Sequence, residues 1–219
     1  YEKYPQRIIP FLSTPRYGYG AQFKEASIIE YVESQLKTGK FKGMGEFMVR
    51  HYACAPPHSA PEINVPADSP FMQQMMRLGA KYDVPLTIHM ETTPDTVAAL
   101  GRALTANKNT KVIWAHQNPV KTSGGSGAEL ARKGDPNQIA ALLEKHPNLF
   151  ADISVGYETY FFKPEDRQLP TEWKSLYEKY NDRFVVGFDS ATETVYNIYL
   201  ARASVIRGWL SQLRSDTDK

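Results

Sequence analysis

The chain has 219 residues, of which 42% are hydrophobic and 23% are charged, as is usual for a globular protein. Its formal net charge of +2 is too small to predict binding to nucleic acid or to an anionic membrane. No apolar run approaches the roughly 20 residues that a membrane-spanning helix needs. Cys54 is the single cysteine, which excludes an internal disulfide and favours a reducing, cytoplasmic location; a periplasmic or secreted location stays open.

Apolar, β-favouring segments alternate along the chain with segments whose apolar residues recur at the helical spacing. The predicted strands, in chain order, are 7–12, 41–48, 84–90, 111–116, 149–154 and 184–189. The predicted helices are 24–37, 69–82, 94–106, 136–146, 171–180 and 192–214. This alternation predicts an α/β fold with a parallel sheet, and a step of about 35 residues between strands is typical of a (β/α)8 TIM barrel.

Two long segments, 50–68 and 117–134, have no regular pattern and are predicted to be irregular loops. Each follows the C-terminal end of a predicted strand, which is where the active-site loops of a barrel lie. The second contains the run Thr122-Ser123-Gly124-Gly125-Ser126-Gly127, which predicts a mobile loop over a site.

Three predicted strands end on side chains that commonly bind metals: His89, His116 and Asp189. The C-terminal ends of parallel strands meet at one edge of a sheet, so these side chains are expected to lie close together. Glu46, near the end of the second predicted strand, is expected to join them; the alternative is that it pairs with Arg50 or a neighbouring basic group. The sequence therefore predicts a metal site at this edge.

Other polar residues near the strand ends are candidates for supporting or substrate-binding roles. Glu91 follows His89 by two residues, so it is either an acceptor for a histidine N–H or a loop charge. Asp152 and Ser154 share one strand face and are expected to have structural or substrate contacts. Arg50 and His51 are expected to bind an anionic group of a substrate.

Several alternative chemistries have no support in the sequence. His58 is expected to be a loop residue and His146 a structural one, and nothing near Cys54 predicts an activated thiol. The chain has no Gly-x-Ser-x-Gly elbow, no phosphate-binding P-loop and no dinucleotide-binding fingerprint.

With these residues in place, the chain resembles the amidohydrolase superfamily, in particular its amidohydrolase-related (amidohydrolase 2) branch. The matching motifs correspond to barrel strands three to eight and are, in chain order, Arg7–Leu12, Gly45-Glu46-Phe47, Ile88-His89-Met90-Glu91, Trp114-Ala115-His116, Ala151-Asp152-Ile153-Ser154 and Gly187-Phe188-Asp189-Ser190. Each motif is short, but their order and spacing together cover nearly the whole chain.

The resemblance implies specific roles for the strand-end residues. It makes His89 a metal ligand, and His116 either a ligand of a second metal or a group that handles a proton near the substrate. Asp189 would bind the metal and take the proton from water, and Glu46 would be a bridging ligand. The implied cofactor is a divalent metal, zinc first, with manganese or iron as alternatives.

The chain departs from the family in lacking the His-x-His pair of the first barrel strand. We expect the first two strands to precede Tyr1, and the C-terminal end also to be cut short after the eighth helix. Residues 1–219 are thus predicted to form one incomplete barrel domain with about six βα units.

The resemblance implies a metal-dependent hydrolase that cleaves an amide, ester or lactone bond with metal-activated water. The alternatives are a metal-dependent decarboxylase acting on a carboxylated aromatic compound, and a non-catalytic relative or fragment whose barrel serves as a binding surface. We expect a small-molecule substrate, no nucleic-acid or membrane partner, and a possible homo-oligomer. The sequence identifies neither the substrate nor the metal.

Overall fold

Strands and helices alternate through the chain, as the sequence predicts. A computed structural model describes residues 3–13, 25–52, 62–116, 135–154, 168–188 and 199–214. The strands are β1 (Phe11–Leu12), β2 (Gly43–His51), β3 (Ile63–Asn64), β4 (Leu86–Met90), β5 (Val112–Ala115), β6 (Leu149–Ser154) and β7 (Phe184–Gly187). The helices are α1 (Glu25–Leu36), α2 (Pro70–Tyr82), α3 (Pro94–Ala106), α4 (Pro136–Lys145), α5 (Thr171–Lys179) and α6 (Tyr199–Leu210).

Most of the strands form one parallel sheet. The order across the sheet is β1-β2-β4-β5-β6-β7, and each neighbouring pair in this order is parallel. Helices connect the strands along the chain, which is the arrangement of a TIM barrel, seen here over six consecutive parallel strands. None of the helices within the described ranges has both the length and the apolar character needed to cross a bilayer.

Capping residues account for the start of three helices. Ser69, Thr93 and Asp135 each accept a hydrogen bond from a backbone N–H in the first turn, and each is followed by a proline at the first helical position. The helices that follow agree with the predicted ranges to within one residue at each end. The predicted helix 192–214 lies only partly in the described residues, where it covers Tyr199–Leu210.

The prediction of an irregular segment over 50–68 is wrong at both ends. β2 continues through Arg50 and His51, and Ile63–Asn64 form β3, which pairs antiparallel with the end of β2. The cause is a cross-strand contact, because the Arg50 guanidinium donates to the carbonyl oxygen of Ile63 over 2.9 Å. Burial of the Ile63 side chain adds to the same pairing.

The first predicted strand, 7–12, is also shorter than expected. Only Phe11–Leu12 pair with β2, whereas Ile8 and Ile9 are 43% and 70% exposed. Arg7 and Ile8 instead donate backbone hydrogen bonds to the carbonyl oxygen of Tyr4, which forms a turn. The apolar residues of 7–12 therefore predicted a longer strand than the one that forms by backbone pairing.

The buried core lies between the sheet and the helices. Leu86, Ile88 and Met90 of β4 are fully buried and belong to the same cluster as apolar residues of α1, α2 and α3. Side chains alternate along a strand, so His89 lies on the opposite face from these three residues. Glu91 continues that alternation, since its backbone N–H still bonds to β2 through the Arg50 carbonyl. Packing against the helices thus fixes which face carries the polar side chains.

Candidate metal centre

Three side chains from neighbouring strands converge on one point. Nδ1 of His89 and Nε2 of His116 lie 3.1 Å and 3.2 Å from the same oxygen, Oε1 of Glu46. The two imidazole rings meet edge to face with their centroids 4.9 Å apart. Both histidines are buried, whereas the Glu46 side chain keeps 33% of its surface exposed. The structure therefore brings together three of the four predicted metal ligands, with access from one side.

Glycine at position 45 allows β2 to present Glu46 beside β4. Gly45 has a φ of 126°, and a Cβ atom there would lie 2.4 Å from the carbonyl oxygen of Thr87 on β4. No side chain fits at that distance, and L-residues rarely adopt that φ. The β2–β4 register shifts between Met44 and Phe47, around Glu46. Glycine at this position therefore allows the close approach of β2 to β4.

His116, at the end of β5, has a strained backbone conformation. Its φ of 66° is in the left-handed region, which costs a non-glycine residue about 1 kcal/mol or more. Two residues of β6 hold it there: its backbone N–H donates to Asp152 Oδ1 over 2.8 Å, and its Nδ1 lies 2.6 Å from Ser154 Oγ. These contacts direct Nε2 towards Glu46. Asp152 and Ser154 thus have the structural role that their shared strand face predicts.

A second group of possible ligands lies on the other side of the His89 ring. Glu91 Oε1 is 3.7 Å from His89 Nε2, and the His51 ring centroid is 5.2 Å from that of His89. His51, His89 and Glu91 are all buried, and potential ligand atoms of the three lie within 4.8 Å of one another. The interpretation of Glu91 as a loop charge is wrong, since its side chain is fully buried and also accepts the Tyr52 backbone N–H.

Arg50 is held in contacts with its neighbours. Its Nη1 lies 2.8 Å from Glu62 Oε1 and also donates to Ile63, while the guanidinium stacks on the Tyr52 ring at 3.8 Å from the centroid. Of the alternative partners for Glu46, the basic groups that it contacts among the described residues are the two histidines, whereas Arg50 pairs with Glu62. That Arg50 and His51 bind a substrate anion stays a prediction.

The charges in the site are coupled. Burial raises the pKa of Glu46, but hydrogen bonds from His116 and His89 outweigh it and leave the pKa of this carboxyl well below its usual range. Burial lowers the pKa of His89, whereas the carboxylates of Glu46 and Glu91 raise it to about 9. Without a metal, Glu46 is therefore ionised and His89 is protonated at neutral pH. Burial also raises the pKa of Asp152, and the nearby His116 partly offsets this effect.

The arrangement fits a divalent metal ion. A tetrahedral ion with ligands at about 2.0–2.1 Å separates neighbouring ligand atoms by about 3.3 Å. The observed spacings from Glu46 Oε1 to the two imidazole nitrogens, 3.1 Å and 3.2 Å, are close to that value. Glu46, His89 and His116 thus form a group that could hold a metal through two nitrogens and one oxygen. Such a mixed set suits zinc, manganese or iron.

Asp189, the fourth predicted ligand, lies outside the described residues, as do the segment 117–134 and residues 53–61. β7 ends at Gly187, two residues before Asp189, and Gly187 pairs with Ser154 of β6. The full burial of Glu91 and the place of His51 beside His89 were not predicted from the sequence. Alternation along 87–91 was the available signal for Glu91, because it puts residue 91 on the His89 face.

Comparison with solved structures supports the fold. No family model matches the chain, and no match was found among curated proteins. An uncharacterised TIM-barrel protein from Bordetella bronchiseptica is similar over 98% of this chain, with a TM-score of 0.58 and 13% sequence identity. The chain spans 63% of that protein's length. This likeness confirms the predicted fold class, a TIM barrel of which the chain shows a part.

Named enzymes also occur among the similar structures. A probable 2-pyrone-4,6-dicarboxylic acid hydrolase from Acinetobacter baumannii matches over 91% of this chain and 75% of its own, with 16% identity and a TM-score of 0.49. A 2,6-dihydroxybenzoate decarboxylase matches over 90% and 64%, with 14% identity and a TM-score of 0.48. Two proteins described as amidohydrolases match with TM-scores of 0.44 and 0.40. Because these TM-scores are below 0.5, the matches carry no argument about the reaction of this chain.

Proposed function

We propose that this chain carries the metal centre of a metal-dependent hydrolase of the amidohydrolase-related type. The observation that supports the proposal most directly is the convergence of His89 Nδ1 and His116 Nε2 on one carboxylate oxygen of Glu46. The substrate is a small molecule with an amide, ester or lactone bond. A divalent metal held by these residues supplies Lewis acidity, which activates a water molecule and polarises the scissile carbonyl.

The protein's own residues prepare the site for that role. The ionised Glu46 offers a negative charge on a partly exposed side chain, so a cation can reach it. The ring of His89 is fixed between two carboxylates, and that of His116 is fixed by Ser154. Rigid ligands lose little side-chain entropy on binding, which favours affinity. In the alternative in which His116 is not a ligand, its buried imidazole next to Glu46 would handle a proton of the substrate.

Asp189 completes the proposed machinery as ligand and general base. In the sequence it comes two residues after the end of β7, and β7 pairs in parallel with β6. A carboxylate beside a cation stays ionised and can accept a proton from water. We assign it this role from its position after the strand and from the family resemblance.

Metal content tests the proposal. Elemental analysis of the purified full chain is expected to find zinc, manganese or iron at about one equivalent or more, and His89→Gln and Asp189→Asn are each expected to abolish it. Asp182→Asn, in an exposed turn before β7, is the matched control and should keep the metal. A wild-type protein that binds none of these metals after dialysis against each of them would contradict the proposal.

Product analysis separates the hydrolase from the decarboxylase alternative. The metal-loaded chain is incubated with a panel of lactones, esters and amides and, separately, with hydroxylated aromatic carboxylates. Hydrolysis products that disappear in Asp189→Asn support the proposal. Released CO2 from the carboxylate panel, with no turnover of the first panel, would assign the site to a decarboxylase.

A further inference from the structure

The side of the His89 ring that faces away from Glu46 carries a buried nitrogen atom without a hydrogen bond. Nδ1 of this ring lies 3.1 Å from Glu46, whereas Nε2 has no hydrogen-bond partner within the described residues. His89 is only 3% exposed, so solvent cannot take the place of such a partner. A buried polar atom without a partner costs about 1–3 kcal/mol, and it marks a position at which an ion can bind.

Two further potential ligands lie on this side of the ring. Glu91 Oε1 is 3.7 Å from His89 Nε2, and potential ligand atoms of His51, His89 and Glu91 all lie within 4.8 Å of one another. Two ligand atoms 3.7 Å apart subtend an angle of about 120° at an ion with bonds of about 2.1 Å, which is close to tetrahedral. A spacing of 4.8 Å closes to the same value after an inward shift of about 1 Å.

The burial of the Glu91 carboxylate favours a cation beside it. The side chain of Glu91 has no exposed surface. A buried carboxylate is stable as an ion only next to a positive charge. Its Oε2 accepts the backbone N–H of Tyr52, which directs Oε1 towards His89. A divalent ion between Oε1 and the imidazoles would supply the positive charge.

We propose that His51, His89 and Glu91 form a second divalent-cation site, which binds the ion through two imidazole nitrogens and one carboxylate oxygen. This donor set suits zinc, manganese or iron. The inference goes beyond the proposed metal centre, because neither His51 nor Glu91 belongs to the ligand set that the family resemblance implies.

The second site shares His89 with the first, and this sets the order in which the two fill. A neutral imidazole offers one nitrogen to a metal. When both sites are filled, His89 therefore binds the second ion, and the first ion keeps Glu46, His116 and Asp189. The second ion must draw the ring away from Glu46, so it binds more weakly than the first. The ion that remains through purification is expected in the first site, and the second site fills when metal is added.

Equilibrium dialysis against zinc tests the second site. The metal-free full chain is compared as wild type, Glu91→Gln, His51→Gln and the matched control Glu62→Gln, which alters a carboxylate that contacts Arg50. Elemental analysis gives the zinc bound per chain at each free zinc concentration.

We expect wild type and Glu62→Gln to bind two zinc ions with separate affinities, and Glu91→Gln and His51→Gln to bind only the tighter one. A wild type that binds a single ion at saturation would overturn the proposal. Two bound ions in either Glu91→Gln or His51→Gln would overturn it as well.

Anomalous diffraction at the zinc edge locates the ions in wild type and does not depend on the folding of any variant. In crystals soaked with zinc, we expect a peak within ligand distance of His89 Nε2 and Glu91 Oε1. Saturated crystals without a peak at this position would contradict the second site.

His116→Gln distinguishes a failure of this inference from a failure of the proposed metal centre. It removes a ligand of the first site only, so it should lose the tighter ion and keep the weaker one. Unchanged zinc binding in His116→Gln, with one ion lost in Glu91→Gln, would contradict the metal centre and leave the second site standing. The reverse pattern would overturn the second site and leave the metal centre standing.

Discussion

At the scale of single residues, the site depends on neighbours that contact no metal. His116 has a left-handed backbone and a buried ring, and Asp152 and Ser154 hold both. Residues in such conformations persist where the surrounding contacts fix them, and they are frequent at functional sites. Mutations should therefore separate the effect of the His116 side chain from the effects of Asp152 and Ser154, which hold it.

Ser154→Ala removes the oxygen that contacts His116 Nδ1 and leaves a buried ring nitrogen without that partner. We expect the free energy of unfolding to fall by about 1–3 kcal/mol and zinc affinity to fall by about tenfold. Urea unfolding and chelator competition measure the two effects. Ser211→Ala, which removes an exposed hydroxyl bonded to the Gly208 carbonyl, is the control and should change neither. Wild-type zinc affinity in Ser154→Ala would show that the serine does not orient the ring.

At the scale of elements, the pairing of β2 with β4 positions Glu46, and glycine at position 45 makes that pairing possible. A Cβ atom at Gly45 would overlap the Thr87 carbonyl oxygen, and the required φ of 126° adds backbone strain. We expect Gly45→Ala to destabilise the fold by about 3 kcal/mol or more, because overpacking and strain act together. Thermal and urea unfolding measure the loss.

Gly208→Ala is the matched control, since Gly208 lies inside α6 and a Cβ atom there meets nothing within 4 Å. Alanine in a helix interior is favoured over glycine, so this variant should gain about 0.5–1 kcal/mol. Equal stability of the two variants would contradict the account of β2.

A different contact stabilises the N-terminal ends of the strands, opposite the ends that carry the metal ligands. Nδ2 of Asn148, just before β6, is within 3.0–3.3 Å of the carbonyl oxygens of Leu104, Asn107 and Thr110, which end α3 and lead into β5. Asn148→Ala should lower the free energy of unfolding by about 2 kcal/mol, because buried carbonyl groups lose their donor. Zinc affinity of the folded fraction should not change. A loss of affinity would show that this contact also positions the site.

The sequence predicted the elements better than their contacts. Proline after a capping residue marked the starts of α2, α3 and α4, and apolar runs marked β4 and β5, so the strand-end positions of His89 and His116 followed directly. The burial of Glu91 depends on the pairing of β2 with β4. The extension of β2 to His51 depends on Arg50 bonding to Ile63 across β3. The alternation along 87–91 gives the face of Glu91, but neither the β2–β4 pairing nor the Arg50–Ile63 contact has a periodic signal in the sequence.

At the scale of the whole molecule, protons and a metal ion compete for one histidine. The folded-state pKa of His89, about 9, lies above the ordinary histidine value of 6.5, so the folded metal-free protein binds this proton more tightly than the unfolded chain. Its stabilising effect is full below about pH 6.5 and is lost as the pH rises through about 9. Urea unfolding in EDTA should therefore show stability falling by a few kcal/mol from pH 6.5 to 10.

Metal binding should have the opposite pH dependence. Zinc must displace the His89 proton, so its affinity is expected to rise about tenfold per pH unit up to about pH 9. His89→Gln should flatten the alkaline loss of stability in the metal-free protein. Equal stability of the metal-free wild type at pH 6.5 and pH 10 would contradict the charge coupling between His89 and its two carboxylates.

The Asn148 contact and the metal ligands occupy opposite ends of the same parallel strands, and this separation has a consequence for large mutational scans. When variants are scored both for cellular abundance and for a zinc-dependent signal, the two scores should depend on which end of a strand the substituted residue occupies. They should not depend on which strand it belongs to. Substitutions around Asn148 should reduce both scores together, whereas those at His116 or Glu46 should reduce the zinc signal more than abundance. The second class could then be recombined freely, giving a library in which the metal centre is altered on an unchanged scaffold.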